Sequence, residues 1–265
     1  MHTIRCKFIE KEKVFDQGYI ITVKLIKGYN SQPIALAEKI QLTEGSYNVL
    51  AYLVEISKEE QTYLLFIDTS ASKHKQLDIM QLTNSEFELE VSDNSIFTLN
   101  HKVRKMLLIM DDTSLIETAA ILQLLAFNNI NSELCLLTNT VQEDIIIFIE
   151  RLIDSNIYYL NSIKTPVIDE IFERQTIGTA LFIYGSWPII DKIKNCAYKA
   201  GFENDVIQYK GYGQKIEKIF CVKCYCFNEK KNTEDIRCKR CNILLDVSTS
   251  YSKRLDAYLG YKKVD

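Results

Sequence analysis

The chain has 265 residues, of which 47% are hydrophobic and 25% charged, and its formal net charge is -3. Because 12 Phe and 15 Tyr supply ample apolar surface, this composition excludes a disordered chain. The longest apolar runs, such as Ile145–Ile149, are too short to span a bilayer. The first residues lack a charged leader followed by an apolar stretch, so we expect a cytoplasmic protein.

Residues 1–99 have the pattern of a β-rich domain. Phe87–Val91 alternates apolar and acidic side chains, as a half-buried strand does. Three further apolar segments, separated by short turn-forming clusters, are also predicted strands: Tyr19–Ile26, Val49–Ile56 and Tyr63–Ile67. Repeated short strands of this kind predict a small antiparallel barrel or sheet.

Residues 100–213 show a different pattern, in which apolar strands and helices alternate. Such alternation favours a parallel sheet covered by helices, so the predicted fold class is α/β, or α+β for the whole chain. The predicted strands span residues 105–110, 132–137, 157–160, 179–184 and 206–209. The predicted helices span residues 115–128, 142–155, 166–174 and 188–200.

Residues 214–265 differ again in charge and in cysteine content. This segment carries 12 Lys and Arg against 7 Asp and Glu, although the whole chain is acidic. Five of the eight cysteines fall within 21 positions of it, which in a long chain without an export signal indicates a metal site rather than disulfides. The other three cysteines lie in apolar sequence and are predicted to pack as small hydrophobic residues. They are Cys6, Cys135 and Cys196.

The cysteine spacing predicts a metal site in this last segment. Cys221-x-x-Cys224 and Cys238-x-x-Cys241 are separated by 13 residues, and each pair is the sequence of a metal knuckle. Four thiolates leave no open coordination position, so we expect a structural zinc ribbon whose folding energy comes from the metal. Iron knuckles usually carry glycine and proline around their cysteines, whereas Tyr225 and Asn242 follow these pairs, which favours zinc over iron.

Two features of the segment leave alternatives open. Cys226 is a spare thiol that could replace Cys224 as a ligand, although the two-residue spacing favours Cys224. A nucleic-acid-binding ribbon is the second alternative, because Tyr225 and Phe227 are interleaved with basic residues that suit phosphate contacts. The acidic net charge and the lack of a following recognition helix weigh against it. The basic residues are Lys223, Lys230, Lys231, Arg237, Lys239 and Arg240.

The region from about Tyr63 to Gly213 resembles the nicotinamide-binding half of ferredoxin reductases of the phthalate dioxygenase reductase type. Four segments carry the resemblance: Phe97–Leu99, Met106–Met110, Asp112–Thr118 and Leu181–Pro188. They match a barrel-ending strand, a sheet strand, the turn that enters a helix, and the family's strand that ends in Cys-Gly-Pro. The resemblance implies a flavin-type barrel followed by a Rossmann-like domain.

Several residues depart from the reductase pattern at the cofactor positions. Asp111–Thr118 contains no glycine, although glycines let backbone amides approach a pyrophosphate, and its two aspartates repel phosphate. Tyr184 and Ser186 stand where the family has cysteine and proline, and Val49–Thr62 lacks the family's Arg-x-Tyr-Ser flavin motif. We therefore expect neither flavin nor NAD(P) on this chain and no catalytic residue. The degenerate cofactor positions are Asp112, Thr113, Ser114, Gly185 and Ser186.

The aspartate pair at the strand end has two interpretations. Asp111 and Asp112 have the chemistry of a metal site or of a general acid and base. The pattern favours a simpler role, in which Asp112, Thr113 or Ser114 caps the helix that follows.

The C-terminal segment is similar to the DmmA-like family of dimethylamine monooxygenase subunits. The similar stretches are Phe220–Cys224, Cys238–Ser248, Tyr251–Arg254 and Ala257–Tyr261, and Ser250 stands where that family commonly has histidine. The resemblance implies a subunit of a haem-dependent, NAD(P)H-driven oxidative N-demethylase, with haem-binding and flavin/iron–sulfur reductase subunits as partners. This chain would be its non-catalytic, scaffolding subunit. The predicted docking residues are Tyr251, Arg254, Tyr258 and Tyr261.

The main rival to this function is an active flavin-dependent reductase that uses an unconventional site. The second rival is the nucleic-acid-binding ribbon. The predicted domains are a degenerate flavin-barrel-like domain over residues 1–99, a reductase-like α/β domain over 100–213, and the zinc ribbon with its tail over 214–265.

Overall fold

In the computed structural model the chain divides into two compact units, Met1–Lys210 and Gly211–Asp265. The first unit contains a barrel and an α/β sheet, and the second a small sheet. None of the described helices is long and apolar enough to cross a membrane. The structure describes residues 2–15, 18–26, 34–42, 45–68, 86–92, 97–99, 103–139, 143–153, 157–163, 165–230, 236–252 and 254–263.

A closed six-stranded antiparallel barrel forms the start of the first unit, with neighbours in the order β1-β2-β5-β4-β3-β6. Closure leaves the sheet without a free edge, because β6 pairs with both β1 and β3. The interior is filled by side chains from alternate positions, among them Cys6 and Leu65. The strands are β1 (His2–Phe15), β2 (Gly18–Leu25), β3 (Ile34–Leu42), β4 (Gly45–Ser57), β5 (Thr62–Asp68) and β6 (Glu86–Val91).

A five-stranded sheet with helices follows in the same unit. Its strands are β7 (Lys105–Asp111), β8 (Asn131–Leu137), β9 (Ile157–Leu160), β10 (Thr179–Ser186) and β11 (Ile207–Tyr212). Its helices are α1 (Leu115–Phe127), α2 (Glu143–Leu152), α3 (Thr165–Glu173) and α4 (Trp187–Lys199).

The order of this sheet is β11-β10-β7-β8-β9, and β7 pairs in parallel with both β8 and β10. Since the chain leaves β7 toward β8 and returns on the other side at β10, a topological switch point lies between β7 and β10. Ligands of open α/β sheets bind at the carboxyl ends of strands at such a point. The five residues of β7 from Met106 to Met110 are all buried, as expected for a strand covered on both faces.

Helix α1 joins the barrel to the sheet. Ten of its 13 residues are apolar, and it packs on α2 as well as on β4, β5, β7 and β8. A helix of this kind is stable only when most of its surface is buried. One hydrophobic core therefore contains Phe66 of the barrel, Leu122 of α1 and Phe182 of the sheet.

The second unit is a five-stranded sheet with the order β13-β12-β16-β15-β14. The pair β12–β16 is parallel and the other pairs are antiparallel. The buried hydrophobic core consists of Ile219, Cys221, Cys238 and Leu245, so two of its four members are cysteines. The strands are β12 (Lys218–Cys221), β13 (Phe227–Glu229), β14 (Ile236–Arg237), β15 (Leu244–Ser252) and β16 (Ala257–Lys262).

Candidate functional site

The first Cys-x-x-Cys pair forms a tight turn closed by two backbone hydrogen bonds. The amide of Cys221 donates to the carbonyl of Cys226 over 2.9 Å, and the amide of Tyr225 donates back to the carbonyl of Cys221 over 2.7 Å. Tyr225 has φ +62°, in the left-handed region. The turn places the sulfur atoms of Cys221 and Cys224 on the same side of the chain, facing the second pair.

The second pair repeats this geometry. The amide of Cys238 donates to the carbonyl of Ile243 over 2.9 Å, and the amide of Asn242 donates to the carbonyl of Cys238 over 2.8 Å. Asn242 has φ +56°, which matches the left-handed residue of the first turn. Two equivalent knuckles therefore face each other.

The four sulfur atoms lie within 4.8 Å of one another. Sγ of Cys221 is 3.8 Å from Sγ of Cys241, and Sγ of Cys224 is 3.4 Å from Sγ of Cys238. A tetrahedral ion with bonds of about 2.3 Å to sulfur requires separations of roughly 3.8 Å. The donor set and its spacing thus fit a metal ion held by four thiolates, and Cys226 lies outside this group.

The thiols of this cluster differ in proton affinity. Desolvation and hydrogen bonds from the neighbouring thiols raise the pKa of Cys224 to about 12. Desolvation also acts to raise the pKa of Cys238, but the backbone amides of Cys241 and Arg240 outweigh it and lower that pKa to about 6. A metal ion must displace the remaining protons, so metal binding should strengthen as pH rises.

Asn228 ties the two knuckles together, and the sequence analysis did not identify it. Its side chain is 5% exposed, and its Nδ2 donates to the carbonyl of Cys226 over 3.1 Å and lies 3.7 Å from Sγ of Cys238. Its Oδ1 accepts from the amide of Lys239 over 2.8 Å. A single polar residue among cysteines gives no periodic signal, so only the fold identifies this role.

The predicted docking residues lie on β15, β16 and the turn between them. The rings of Tyr251 and Tyr258 meet edge to face at 5.3 Å. Tyr258 also donates to Glu217 over 3.1 Å, and Tyr251 donates to Asp256. Arg254 is exposed, and Tyr261 is 47% exposed.

The basic residues of this unit are partly engaged within it. Arg240 Nη1 donates to the carbonyl of Cys224 over 3.2 Å, and Arg237 Nη1 donates to the carbonyl of Asn242 over 3.3 Å. Lys230 forms an ion pair with Glu217 at 2.6 Å. Lys223 and Lys239 are exposed, and Lys231 lies outside the described residues.

In the first unit, the degenerate cofactor positions meet at the switch point. Oδ1 of Asp111 accepts hydrogen bonds from the amide of Thr113 over 3.1 Å and from its hydroxyl over 2.5 Å, so Asp111 caps the short 3-10 helix Asp112–Ser114. Ser114, one of the three predicted candidates, is the N-cap residue of α1. Its hydroxyl makes no capping hydrogen bond and instead donates backward to the carbonyl of Asp111.

Carboxylates dominate this end of the sheet. Asp111 is 5% exposed, and its Oδ2 has no hydrogen-bond partner among the residues that the structure describes. Asp112 accepts from the hydroxyl of Thr138 over 2.9 Å at the end of β8. A Cβ on Gly185 would lie 3.6 Å from Oδ2 of Asp111. Ser186 is the N-cap residue of α4, but its side chain makes no capping hydrogen bond. Paired carboxylates do not fit a pyrophosphate, which binds where glycine amides are available.

A buried polar network lies next to these positions. The carboxylate of Glu117, whose side chain is 1% exposed, accepts from Tyr52 of the barrel over 2.9 Å and from Lys210 of β11 over 2.6 Å. Nζ of Lys210 lies 5.4 Å from the ring centre of Tyr184. Burial raises the pKa of Glu117, and the contacts with Lys210 and Tyr52 partly oppose this. The sequence analysis missed this network, although Glu117 is the only charged residue in α1.

The three remaining cysteines are buried within hydrophobic cores, as predicted, although Cys196 also forms a hydrogen bond with Asp169. Cys6 and Cys135 are 0% exposed and Cys196 is 5% exposed. Burial raises the pKa of Cys6 and of Cys135 to about 12, so both stay protonated at neutral pH.

Comparison with known families supports the resemblance of the second unit. Residues 218–261 match the family described as dimethylamine monooxygenase subunit DmmA-like, C-terminal domain. The chain is 26% identical over 94 residues to the heme-dependent oxidative N-demethylase delta subunit of Ectopseudomonas mendocina (strain ymp). That alignment covers 36% of this chain and 54% of the relative, so it spans about half the length of the relative. Both matches confirm the predicted resemblance.

Several solved structures have a similar fold. They include the ferredoxin reductase in carbazole 1,9a-dioxygenase in its FAD apo form, with a TM-score of 0.51, 13% identity and coverage of 79% of this chain and 67% of that chain. The Amycolatopsis cytochrome P450 reductase GcoB has a TM-score of 0.52 and 10% identity, and the match covers 79% of this chain and 69% of that chain. The CS-b5R domains of human Ncb5or in the NAD+ form have a TM-score of 0.52 and 12% identity, and the match covers 78% of this chain and 69% of that chain. The chain therefore has the predicted mixed α/β, ferredoxin-reductase-like fold.

Proposed function

We propose that this chain is an accessory, scaffolding subunit of a haem-dependent, NAD(P)H-driven amine monooxygenase complex that performs oxidative N-demethylation. The observation that carries the proposal is the combination of a reductase-like fold with residues 218–261 of the DmmA-like type. The named relative is itself a subunit of a demethylase. The partners would be a haem-binding subunit and a flavin and iron–sulfur reductase subunit of the same complex.

The body of the chain is proposed to bind neither flavin nor NAD(P). Two carboxylates occupy the strand ends where a pyrophosphate would need amide donors. Glu117 of α1 also bonds to Tyr52 of the barrel and to Lys210 of β11, so these polar groups are engaged with one another. Without a bound hydride carrier this chain would have no catalytic residue, and it would position the subunits that do.

The cysteine cluster is proposed to hold a structural zinc ion through Cys221, Cys224, Cys238 and Cys241. The core of the second unit is small and half of its buried members are cysteines, so the metal would supply the folding energy that apolar burial cannot. The ion would fix the two knuckles, and thereby the sheet that carries the docking residues Tyr251, Arg254, Tyr258 and Tyr261. In this proposal the domains are residues 1–99, 100–213 and 214–265, and the complex is cytoplasmic.

The test is metal analysis and a visible spectrum of the purified full chain. About one zinc per chain and a colourless solution support the proposal. Flavin absorption bands, or iron with thiolate charge-transfer bands, would instead identify the chain as an electron carrier. The fold favours an active flavin-dependent reductase as the alternative, because one solved structure of this fold is described as an FAD apo form.

A further inference from the structure

The two knuckles of the second unit have the same backbone but carry different residues at one strained position. In each, the residue after the second cysteine donates its amide to the carbonyl of the first cysteine and has a positive φ, +62° at Tyr225 and +56° at Asn242. Asparagine adopts this left-handed conformation readily, whereas a residue with a bulky ring does so at a cost in free energy. The first knuckle therefore holds tyrosine where asparagine or glycine would be more stable.

Burial does not explain the tyrosine. Tyr225 is 72% exposed, the largest exposure of any tyrosine among the exposed large hydrophobic residues. Its ring lies 5.9 Å from that of Phe220, which lies 5.1 Å from that of Phe227. Phe220 and Phe227 are registered partners on the face of β12 and β13 that is turned away from the buried Ile219 and Asn228. Backbone strain that packing does not require is typical of positions retained for function.

We propose that Tyr225, with Phe220 and Phe227, anchors a partner subunit that presents an apolar recess bordered by carboxylates. We call this surface the knuckle face. The proposal rests on the proposed function and adds a second docking site to the residues on β15 and β16. Tyrosine is among the residues most enriched at the energetic centres of protein interfaces, because it buries a large ring at low entropic cost.

The charge around the knuckle face specifies the partner. Lys223 and Arg240 occupy the equivalent third positions of the two knuckles, and both are exposed. Arg240 donates to the carbonyl of Cys224, which fixes its guanidinium beside Tyr225. The whole segment from residue 214 carries 12 Lys and Arg against 7 Asp and Glu, on a chain whose net charge is -3. An acidic protein surface complements this charge.

A nucleic acid is the less favoured occupant. The guanidinium group of Arg237 donates to a backbone carbonyl, and Lys230 pairs with Glu217, so these two cations are partly engaged within the unit. Glu229 follows Phe227 on the same strand and the same face. A protein surface can place a cation opposite Glu229, whereas a uniformly negative phosphate backbone cannot.

The test compares four full-length, affinity-tagged chains purified from the natural host: wild type, Tyr225→Asn, Tyr225→Phe and Asn242→Gly. Haem and flavin absorbance per chain measures partner capture, and zinc retained against a chelator measures the integrity of the unit. We expect Tyr225→Asn to hold zinc at least as well as wild type but to capture at least about tenfold less partner, the size of an interface anchor. Tyr225→Phe keeps the aromatic ring, and Asn242→Gly is the matched control at the equivalent position of the second knuckle. Both variants should capture as much partner as wild type does.

The outcomes separate this proposal from the proposed function. Wild type that captures neither haem nor flavin overturns both. Wild-type capture that Tyr225→Asn retains overturns the knuckle face alone. Loss of zinc in Tyr225→Asn would show that the tyrosine stabilises the unit by packing, and this too would overturn the proposed knuckle-face anchor. If wild type self-associates and Tyr225→Asn does not, the occupant of the knuckle face is a second copy of the chain, and the proposed acidic subunit is wrong. If wild type binds a mixed-sequence oligonucleotide and Tyr225→Asn does not, the occupant is a nucleic acid, and the proposed acidic subunit is again wrong.

Discussion

Replacing Lys210 with methionine tests the buried network of the first unit. The substitution leaves the Glu117 carboxylate 1% exposed, with only the Tyr52 hydroxyl as its remaining partner. Removing one member of a buried ion pair destabilises a protein by about 3–5 kcal/mol. Because the Lys210 side chain is 32% exposed, water screens part of the pair. We therefore expect a loss of about 3 kcal/mol, the lower end of that range.

The loss should depend on pH, in a direction set by Glu117. Its pKa in the folded protein is raised by burial, and removal of Lys210 raises it further. A carboxyl group with a raised folded-state pKa stabilises the protein below the unfolded-state pKa, about 4.3, and this contribution disappears as pH rises through the folded-state pKa. Lys210→Met should therefore differ little from wild type at pH values where Glu117 is protonated in both folded proteins. The difference should grow by about 1.4 kcal/mol per pH unit once the wild-type carboxyl has ionised, until the carboxyl of the variant ionises as well.

The assay is urea unfolding at pH 5, 6, 7 and 8, followed by the fluorescence of Trp187, the single tryptophan, which lies on α4 of the first unit. Lys24→Met, at an exposed position of β2, is the matched control and should change the free energy of unfolding by less than about 0.5 kcal/mol. Adding Glu117→Gln to Lys210→Met should remove the pH dependence. A loss that is equal at pH 5 and pH 8, or that persists unchanged in the double variant, would refute the reasoning.

Three further predictions concern the cysteines and the second unit. Cys226→Ser should leave the zinc content unchanged, since this thiol lies outside the four-sulfur group, and metal analysis that finds a clear loss would contradict the ligand set. Gly260→Ala should destabilise the second unit by about 1–3 kcal/mol in a chelator-competition or thermal assay, because the new Cβ would lie 2.7 Å from Cγ2 of Ile219. Ile219→Ala removes that atom, so the two substitutions together should cost less than the sum of their separate costs, and strictly additive losses would contradict the clash. Cys6 and Cys135 should resist a thiol reagent at pH 8 in the folded protein, because burial raises the pKa of both to about 12. Both should react in urea, where the chain is unfolded. Fast reaction in the native state would show that these sites open.

Residue patterning predicted the elements that bury one or both faces. The strand Met106–Met110 was predicted from a continuous apolar run, and Phe87–Val91 from the alternation of apolar and acidic residues. The sequence analysis did not predict β15, Leu244–Ser252, as a strand. Its second half is polar and largely exposed, and pairing with β16 rather than burial holds it. Propensity alone cannot identify a strand whose stability comes from its neighbours.

The turn before α1 shows a second limit of sequence-based prediction. Ser114 was among the predicted caps and is the N-cap residue of α1, but the 3-10 helix before it, which Asp111 caps, was not predicted, because periodicity does not show such turns. The partners of Glu117 lie 65 and 93 residues away in the chain, so no local pattern could pair them. A lone charge in an apolar helix does, however, signal that a partner must exist.

The position of α1 limits how this protein can be divided. Most of its surface is covered by β4 and β5 of the barrel, by α2, and by β7 and β8 of the sheet, and only Ala126 and Phe127 at its end are exposed. A fragment that ends before α1 would expose apolar barrel surface to water, and a fragment that starts after the barrel would expose the helix side chains that face the barrel. The barrel and the sheet therefore cannot be expressed or exchanged alone without exposing apolar surface, because a helix shared by two layers makes them one unit of folding.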